Sequence, residues 1–558
     1  MRKPVMDKKI NIAIVAIILL SGILLRVHAI NKYDLWYDEL ISNRYSAEIF
    51  NKTMALRGNT FILSRSSYDC HSSFLYYPLV YIYSSLFGGG KSLRILSVFF
   101  GILSLLIFYR LSLLFLNLKE SLYALLFLAL SPIQIWYAQE ARGYTVFFFL
   151  STLLLYFYIR ALRKNKNSDW VYFTISGIVA FYATYFSILL LAVSAFPLLF
   201  RSNRRCIRKW FFSIVIIFAA SIPLLALLME RLHLLGGYWL WRPQLNDLLL
   251  TFSVFNLGYS VTSLQAGLGL VLFGALFIYG IHSFYKVEKI NMTTMLLFIL
   301  FPIIFIYAFS IFFTPIYIHR QLLIFSPFYY LFVAKGLQNI KNNICRRTAF
   351  VLAIIIIGFS LNNYYSGFIT PAHEYRRINN EFYAGIHPKK RYGRIVSLLD
   401  DEFKKQNLIF ALDLPSTVFI LCYLMDKERA DSASDTNSFV GLLFSRYSLE
   451  PHELMYVEKK KDITLQNCRF NEEELFCFSI GPAKGVRKIK IEDVPSDKIW
   501  FISYNWSRQA KFLGDGFYGR STAGIKMKTH LIFKREFRFC EDGVCAELFR
   551  RRSPTNKR

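Results

Sequence analysis

The sequence lacks the signatures of several common protein classes. It has no internal repeat, no low-complexity tract and no cysteine and histidine spacing of the zinc-finger kind. The glycine run at 88–90 lies outside the strand, glycine loop and helix context that a nucleotide site requires. Acidic residues are scarce, with 37 Asp and Glu against 66 Lys and Arg. These absences disfavour repeat proteins, finger-type zinc domains and glycine-loop nucleotide enzymes.

Long apolar runs are abundant in this 558-residue chain. It is 54% hydrophobic and 17% aromatic, and its mean hydropathy is +0.36. The formal charge of +29 comes from Lys and Arg residues that cluster between the apolar runs. Clusters in these positions are typical of membrane topology signals, so they do not indicate a nucleic-acid partner. The composition predicts a polytopic α-helical membrane protein.

The first apolar run, residues 10–30, follows a group of four Lys and Arg residues. It is longer than a typical signal-peptide core and no small-residue cleavage site follows it, so it predicts a spanning anchor. Its basic flank places the N-terminus in the cytoplasm. Four further basic loops are predicted to be cytoplasmic: 160–168, 201–209, 286–289 and 341–347.

Spans of about 20 apolar residues predict about eleven transmembrane helices. Residues 73–87 are also apolar, but the loop charges agree only if this segment does not cross, so it is predicted to be an embedded helix of a large first outer loop. The predicted crossings are 10–30, 93–116, 121–138, 144–161, 170–184, 187–200, 211–229, 261–285, 292–313, 321–338 and 348–362.

The character of the chain changes near residue 364, where charged runs begin to alternate with strand-like segments. Examples are NLIFALDL (407–414), KIWFISY (498–504) and THLIFKREFRF (529–539). Two domains are therefore predicted: a transmembrane domain, 1–363, with its first outer loop at 31–92, and a soluble α/β or α+β domain, 364–558. Eleven crossings of the inner (plasma) membrane place this second domain on the periplasmic or extracellular side.

Carboxylates stand at the mouth of the apolar bundle in two predicted outer loops. The first loop begins with DLWYDEL (34–40), and the second is SPIQIWYAQEARGYT (131–145). A charge at a helix centre in lipid costs roughly 2.5 to 3.5 kcal/mol, and less near the interface. A solvated loop would explain a single Asp-Glu pair. Here, however, both loops contain acidic and basic residues. The pattern therefore favours a chemical site at the outer face.

Four motifs, in this order and spacing, resemble the N-terminal half of the GT-C glycosyltransferases. They are similar in particular to the glycosyltransferase 39 type, which includes the protein O-mannosyltransferases and bacterial relatives of the aminoarabinose transferase of lipid A. The resemblance covers about residues 10–200, with thinner support from YATYF (182–186) and from 315–337. The motifs are LWYDEL (35–40), YDCHSSFLYY (68–77), LFGGGKSLRILSVFFGIL (86–103) and LSPIQIWYAQEARGYTVFFFLS (130–151).

The resemblance implies roles for seven residues. Asp38 is implied as the catalytic base, with Glu39 beside it, and Glu140 as the acid of the second loop. A divalent metal ion at Glu39 and His71 is left open, and a structural role for His71 is the alternative; no other cofactor is expected. The residues implied to bind the donor phosphate or substrate are Asp69, His71, Arg94 and Arg142. Three further candidates for this binding are Arg320, as a cation for the departing phosphate, with Tyr144 and His319.

This chain departs from the family pattern at three positions. Ser72-Ser73 replaces Pro-Pro, Gly143 replaces a proline, and Thr184 replaces a histidine. These departures bear on the acceptor more than on the reaction class.

Structural alternatives stay open for the implied site residues. Glu140 can pair with Arg142 or with a helix N-terminus. Arg94 can snorkel to the lipid interface, and His319 with Arg320 can anchor an outer loop. The aromatic residues of both loops can form an interfacial belt instead of stacking on sugar rings.

The implied reaction moves a sugar from a polyprenyl-phosphate donor to a glycan, lipid or protein acceptor with inversion. Such a reaction needs an apolar groove, cations for the departing phosphate and a carboxylate for the acceptor proton. A lipid-diphosphate-dependent oligosaccharyltransferase or ligase shares the fold and stays open. A transporter or flippase is the other alternative; the absence of internal repeats and of any sign of broken helices disfavours it.

Overall fold

The computed structural model describes residues 8–35, 39, 42, 75–225, 242–287 and 289–367, together with six strands of the C-terminal part. The chain divides into two units, Met1–Ile30 with Ile41–Pro388 and Asn31–Leu40 with Lys389–Arg558. The predicted domains, 1–363 and 364–558, stay a prediction.

The first unit is helical, with short 3-10 turns between some of the helices. Its α-helices in the described residues are α1 (Lys8–Val27), α2 (Tyr76–Phe87), α3 (Leu93–Ser112), α4 (Leu118–Leu130), α5 (Pro132–Ala138), α6 (Tyr144–Lys164), α7 (Asn167–Ala183), α8 (Ser187–Val193), α9 (Ile207–Ala220), α10 (Leu245–Leu257), α11 (Ser263–Val287), α12 (Lys289–Phe312), α13 (His319–Leu322), α14 (Pro327–Asn339) and α15 (Asn343–Ser366).

Six of the described helices, α1, α3, α6, α11, α12 and α15, are long and apolar enough to cross a membrane, and a bent pair raises the number to seven. A mostly helical protein with several apolar spans is therefore confirmed. The full set of eleven crossings stays a prediction. The predicted crossing at 187–200 is divided into α8 and a 3-10 turn at Phe196–Leu199, where Pro197 cannot supply a helical N–H.

The predicted crossing at 121–138 is a broken helix. Helices α4 and α5 meet at an angle of 53°, because Ser131 leaves the helical conformation (φ −59°, ψ 117°) and Pro132 opens α5. The Ser131 hydroxyl lies 3.2 Å from the Phe255 carbonyl oxygen and 3.1 Å from the Tyr330 hydroxyl. The sequence showed no sign of a broken helix, so this part of the argument against a transporter is wrong.

The predicted embedded helix of the first outer loop, 73–87, contains helix α2. Its start contacts the end of α7, where the Leu75 backbone N–H donates to Tyr182 O at 3.1 Å. Its predicted embedding in the outer membrane face stays a prediction.

Contacts between helix termini define two ends of the helical bundle. At the first, called the Lys164 end, Lys209 Nζ of α9 donates to Asn165 O at 2.8 Å just after α6. The α3–α4 connection reaches the same end, because Arg163 donates to Leu114 O. At the second, called the Glu140 end, α5 finishes, α6 begins and α1 finishes. Helices α4 and α5 therefore run from one end of the bundle to the other.

The described strands of the second unit form one six-stranded sheet, β1 (Ile409–Leu412), β2 (Glu474–Ser479), β3 (Gly485–Lys490), β4 (Lys498–Tyr504), β5 (Phe533–Glu541) and β6 (Val544–Arg551). Their order is β3-β2-β1-β4-β6-β5. Strands β1 and β4 are parallel, and the other neighbours are antiparallel. Two of the strand-like segments predicted from sequence contain β1 and β4, and the third, 529–539, covers the first seven residues of β5. The classification as an α/β or α+β domain stays a prediction.

Candidate active site

Glu140 follows helix α5 and carries the buried carboxylate of the second predicted outer loop. Its side chain is 2% exposed. The indole Nε1 of Trp136, one helical turn earlier, donates to Glu140 Oε1 at 3.0 Å. The backbone N–H of Arg142 donates to Glu140 O at 2.8 Å, so the chain turns sharply here. The turn keeps the carboxylate within the bundle.

Arg142 joins the second loop to the first. It is 4% exposed, and its Nη1 donates to Ser42 Oγ at 3.1 Å, while Ser97 Oγ donates to Arg142 O at 3.3 Å. A Cβ at the next residue, Gly143, would lie 2.5 Å from the Phe147 ring. A proline, as in the family pattern, would therefore require Phe147 to move.

Arg94 lies in the first turn of α3 and is 1% exposed. Its Nη1 donates to Ile30 O at 2.8 Å, beyond the end of α1. A snorkelling arginine would place its guanidinium in the lipid headgroup region. The burial of Arg94 does not match that alternative. The contact instead fixes the point from which the first outer loop departs.

Arg320 approaches the second loop from helix α13. Its guanidinium carbon lies 5.5 Å from the centroid of the Tyr144 ring, a cation–π distance. Tyr144 is packed on Tyr137, with ring centroids 4.6 Å apart, and the Tyr137 hydroxyl lies 3.3 Å from that of Tyr259. The structure thus brings Arg94, Glu140, Arg142, Tyr144 and Arg320 to the Glu140 end.

His319 precedes Arg320 and lies among aromatic rings. It is 4% exposed, and its ring centroid is 6.4 Å from that of Tyr259 and 6.0 Å from that of Tyr317. Within the described part of the chain, His319 Nε2 has no hydrogen-bond partner. Burial lowers the pKa of His319 to about 4, so the ring is neutral at pH 7.

The aromatic residues of the second loop do not face lipid. Trp136 is 4% exposed and Tyr137 is 3% exposed, and Trp136 packs edge-on against Tyr259, with ring centroids 5.8 Å apart. An interfacial belt would leave such rings at the surface of the bundle. Trp136 and Tyr137 therefore line the interior around Glu140.

Gln139 clamps the end of helix α1, a role that sequence reasoning missed. Its Nε2 lies within hydrogen-bond distance of three carbonyl oxygens, those of Leu25 (3.2 Å), Arg26 (3.0 Å) and His28 (2.7 Å). Its Oε1 accepts from the Tyr364 hydroxyl of α15 at 2.7 Å. The last carbonyls of a helix have no partner within it. One side chain therefore caps α1 and joins it to α5 and α15.

Arg26 completes this clamp from the opposite direction. It is 1% exposed, and its Nη1 donates to Gly22 O at 2.9 Å and to Ala129 O at 3.0 Å. Ala129 lies just before the break at Pro132, where helical hydrogen bonds are interrupted. Arg26 is the one charged residue in the predicted span 10–30. Because charges inside spans are rare and functional, it could have been identified from the sequence.

Three of the implied site residues, Asp38, Asp69 and His71, lie outside the described residues. Glu39 is described and is fully buried, but it groups with the second unit. Among the described residues, no group of three or more His, Cys, Asp or Glu side chains is arranged to hold a metal ion. The metal site suggested for Glu39 and His71 stays a prediction.

Part of the chain matches a known family. Residues 74–228 match the model of the dolichyl-phosphate-mannose-protein mannosyltransferases. The resemblance inferred from the motifs is thereby confirmed for this segment, about a quarter of the chain. The matched segment contains Arg94, Glu140, Arg142 and Tyr144.

Solved structures of two proteins are similar to this chain. ArnT from Cupriavidus metallidurans in the apo state is 13% identical, with a TM-score of 0.46 and coverage of 62% of each chain. The same protein bound to undecaprenyl phosphate is 12% identical, with a TM-score of 0.47, over 81% of this chain and 76% of that one. The Archaeoglobus fulgidus oligosaccharyltransferase with a tethered acceptor peptide is 14% identical, with a TM-score of 0.41, over 67% and 57%.

The alignment with apo ArnT therefore spans about three fifths of that relative's length. No curated protein sequence matches this chain significantly.

Proposed function

We propose that this protein is an integral membrane glycosyltransferase that moves a sugar from a polyprenyl-phosphate donor to an acceptor at the Glu140 end of the bundle. The observation that carries the proposal is the burial of four charged side chains, Arg94, Glu140, Arg142 and Arg320, each at most 6% exposed. They come from α3, the second loop and α13, and they meet at one end of an apolar bundle. Charges in that environment are costly and are seldom present without a function.

The carboxylates of Asp38 and Glu140 have different roles in the proposed reaction. Asp38 accepts a proton from the acceptor hydroxyl or amine as that atom attacks the anomeric carbon. The bond from the anomeric carbon to the donor phosphate breaks, its electron pair goes to the phosphate oxygen, and the configuration inverts. Glu140 stabilises the positive charge that develops on the sugar ring. General-base help of this kind contributes about 10² to 10⁴ in rate.

Arg142 and Arg320 are the groups proposed to neutralise the departing polyprenyl phosphate. Guanidinium groups suit this task because their paired N–H donors match phosphate oxygens. Both are held by neighbours before substrate arrives, Arg142 by Ser42 and Arg320 against Tyr144. A preorganised cation stabilises developing charge without further rearrangement.

The proposed orientation places the Glu140 end on the outer face of the plasma membrane. Basic residues from 160–168 and 201–209 gather at the Lys164 end, where Lys209 contacts Asn165. Positive loops remain in the cytoplasm. Eleven crossings and a periplasmic or extracellular second domain complete this topology.

The transfer reaction is tested in membranes that contain the full chain, a radiolabelled polyprenyl-phosphate sugar and a crude envelope acceptor fraction. We expect Asp38→Asn to transfer the label at least 100-fold more slowly than the parent. Asp34→Asn is the matched control, because it removes a neighbouring carboxylate of the same loop, and its rate should stay within twofold.

Parent-like transfer by Asp38→Asn would refute the assignment of the base. Efficient use of a polyprenyl-diphosphate donor, with no use of the monophosphate, would instead identify a lipid-diphosphate-dependent enzyme.

A further inference from the structure

The Lys164 end carries a concentration of positive charge that the proposed reaction does not use. Two loops contribute to it, the one between α6 and α7 and the 3-10 segment Arg201–Cys206 that leads into α9. Six exposed side chains, here called the basic cluster, are Lys164, Lys166, Arg201, Arg204, Arg205 and Arg208.

Contacts between the two loops bring the cluster together. Lys209 Nζ of α9 donates to Asn165 O at 2.8 Å. One turn earlier, Cys206 Sγ lies 3.7 Å from Leu162 O, and Cys206 is fully buried. Asn165 itself has a left-handed conformation (φ 49°), which ends α6. The two loops are therefore packed against each other, and the residues of the basic cluster lie on both of them.

Among the residues that the structure describes, no carboxylate pairs with the basic cluster. Asp169 is the one acidic residue between Glu140 and Glu230. It is fully buried and pairs with Arg160, with Nη2 and Oδ1 2.8 Å apart. Within the described part of the chain, none of Arg201, Arg204 and Arg208 forms an ion pair with a carboxylate.

An exposed apolar surface adjoins the basic cluster on α9. Ile207 is 44% exposed, Phe211 56% and Phe212 54%. The guanidinium of Arg208 lies 5.9 Å from the Phe212 ring centroid. A cationic group above an apolar face matches a molecule with a phosphate at one end and hydrocarbon beyond it.

We propose that the basic cluster binds the headgroup of an anionic phospholipid, whose acyl chains lie along the Phe211 and Phe212 side of α9. Arg204, Arg205 and Arg208 lie within five residues of one another, and guanidinium groups suit bidentate contacts with a phosphate. Basic pockets beside membrane helices have this use when they lie at headgroup depth. This binding is independent of sugar transfer.

The experiment is native mass spectrometry of the purified full chain, equilibrated with equal amounts of phosphatidylglycerol and phosphatidylcholine. The parent should retain phosphatidylglycerol at least fivefold more often. The triple variant Arg204→Gln, Arg205→Gln and Arg208→Gln should lose most of this preference. The control triple Lys286→Gln, Lys289→Gln and Arg347→Gln removes the same charge from other exposed cytoplasm-predicted positions and should keep it.

A second variant preserves the charge and the predicted topology. Arg204→Lys, Arg205→Lys and Arg208→Lys should insert normally, yet should lose at least half of the preference, because lysine cannot form a bidentate contact. The proposal is overturned if the parent shows no preference, if the control triple loses as much as the glutamine triple, or if the lysine triple keeps the full preference. Each of these outcomes would mean that the protein attracts anionic lipid only by its overall charge, or that it has no headgroup site at this position.

Discussion

Two glutamates at opposite ends of the broken helix α4–α5 are similarly buried but lie against different residues. Glu120, 3% exposed, lies in the first turn of α4. Its carboxylate accepts from the Asn117 backbone N–H at 3.0 Å and pairs with Lys335 Nζ at 2.8 Å. Glu140, 2% exposed, lies beyond α5 and accepts from Trp136. Glu120 completes a capping box.

Under the proposed function, this comparison separates a carboxylate that stabilises the fold from one that takes part in sugar transfer. The contacts of Glu120 satisfy a helix terminus and a lysine on α14, so its burial contributes to stability. Glu140 lies just after α5 and accepts from Trp136 of that helix, in the same loop as Arg142. Burial is the same for both carboxylates, so the proposed difference in role rests on their surroundings.

Between matched replacements at the two ends, we expect the largest difference in transfer rate for arginine. Arg142→Lys should slow sugar transfer about 100-fold, because charge-assisted hydrogen bonds to a buried partner contribute about 1.5 to 3 kcal/mol. Arg160→Lys is the matched change at the Lys164 end, where Arg160 pairs with Asp169, and it should keep the rate within threefold. Initial rates per folded molecule measure both. Equal losses of transfer rate in the two variants would contradict the proposal that only the Glu140 end takes part in the reaction.

A smaller effect is expected when the clamp on α1 is removed. Gln139→Leu removes the amide donor that three carbonyl groups share, and we expect transfer to fall about tenfold as the first loop loses its fixed origin. The free energy of unfolding should fall by about 1 to 3 kcal/mol. Asn117→Ala removes a cap at the other end and should cost about 1 kcal/mol, with the turnover rate unchanged. Denaturant titration and rate measurements on the same samples distinguish these results.

The last prediction concerns the pH dependence of stability and not the transfer rate. The folded pKa of His319, about 4, lies below the ordinary value of about 6.5, so protons bind the unfolded state more tightly. The neutral ring contributes roughly 3 kcal/mol to the free energy of unfolding. This contribution is complete above about pH 6.5 and is lost as the pH falls towards 4. His319→Gln should flatten the pH dependence of the unfolding temperature between these values. The exposed His282→Gln should retain it, and an unchanged profile in His319→Gln would contradict the assignment.

The sequence predicted the parts of this structure that depend on composition over many residues. The runs that became α1, α3, α6, α11, α12 and α15 were recognisable by length and hydropathy. The break at Ser131 and Pro132 was not, because one proline hardly changes an average over 20 residues. Breaks of this kind depend on local backbone sterics and on the partners that accept the freed groups.

The sequence likewise predicted only part of the candidate site. Motif spacing indicated Glu140, Arg142 and Arg94, and the structure places them at one end. The clamp of Gln139 on α1 joins residues more than 100 positions apart, and no local pattern encodes such a pairing. Arg26 was detectable as a lone charge in an apolar run, whereas its partner Ala129 O was not.

The proposed difference between the two glutamates is tested by measuring transfer rate and unfolding temperature together for Glu140→Gln and Glu120→Gln. We expect Glu140→Gln to transfer sugar at least 100-fold more slowly and to unfold within about 3 °C of the parent. Glu120→Gln should unfold several degrees lower and keep the rate per folded molecule within threefold. Parent-like transfer by Glu140→Gln, or parallel losses of rate and stability in both variants, would refute a catalytic role for Glu140.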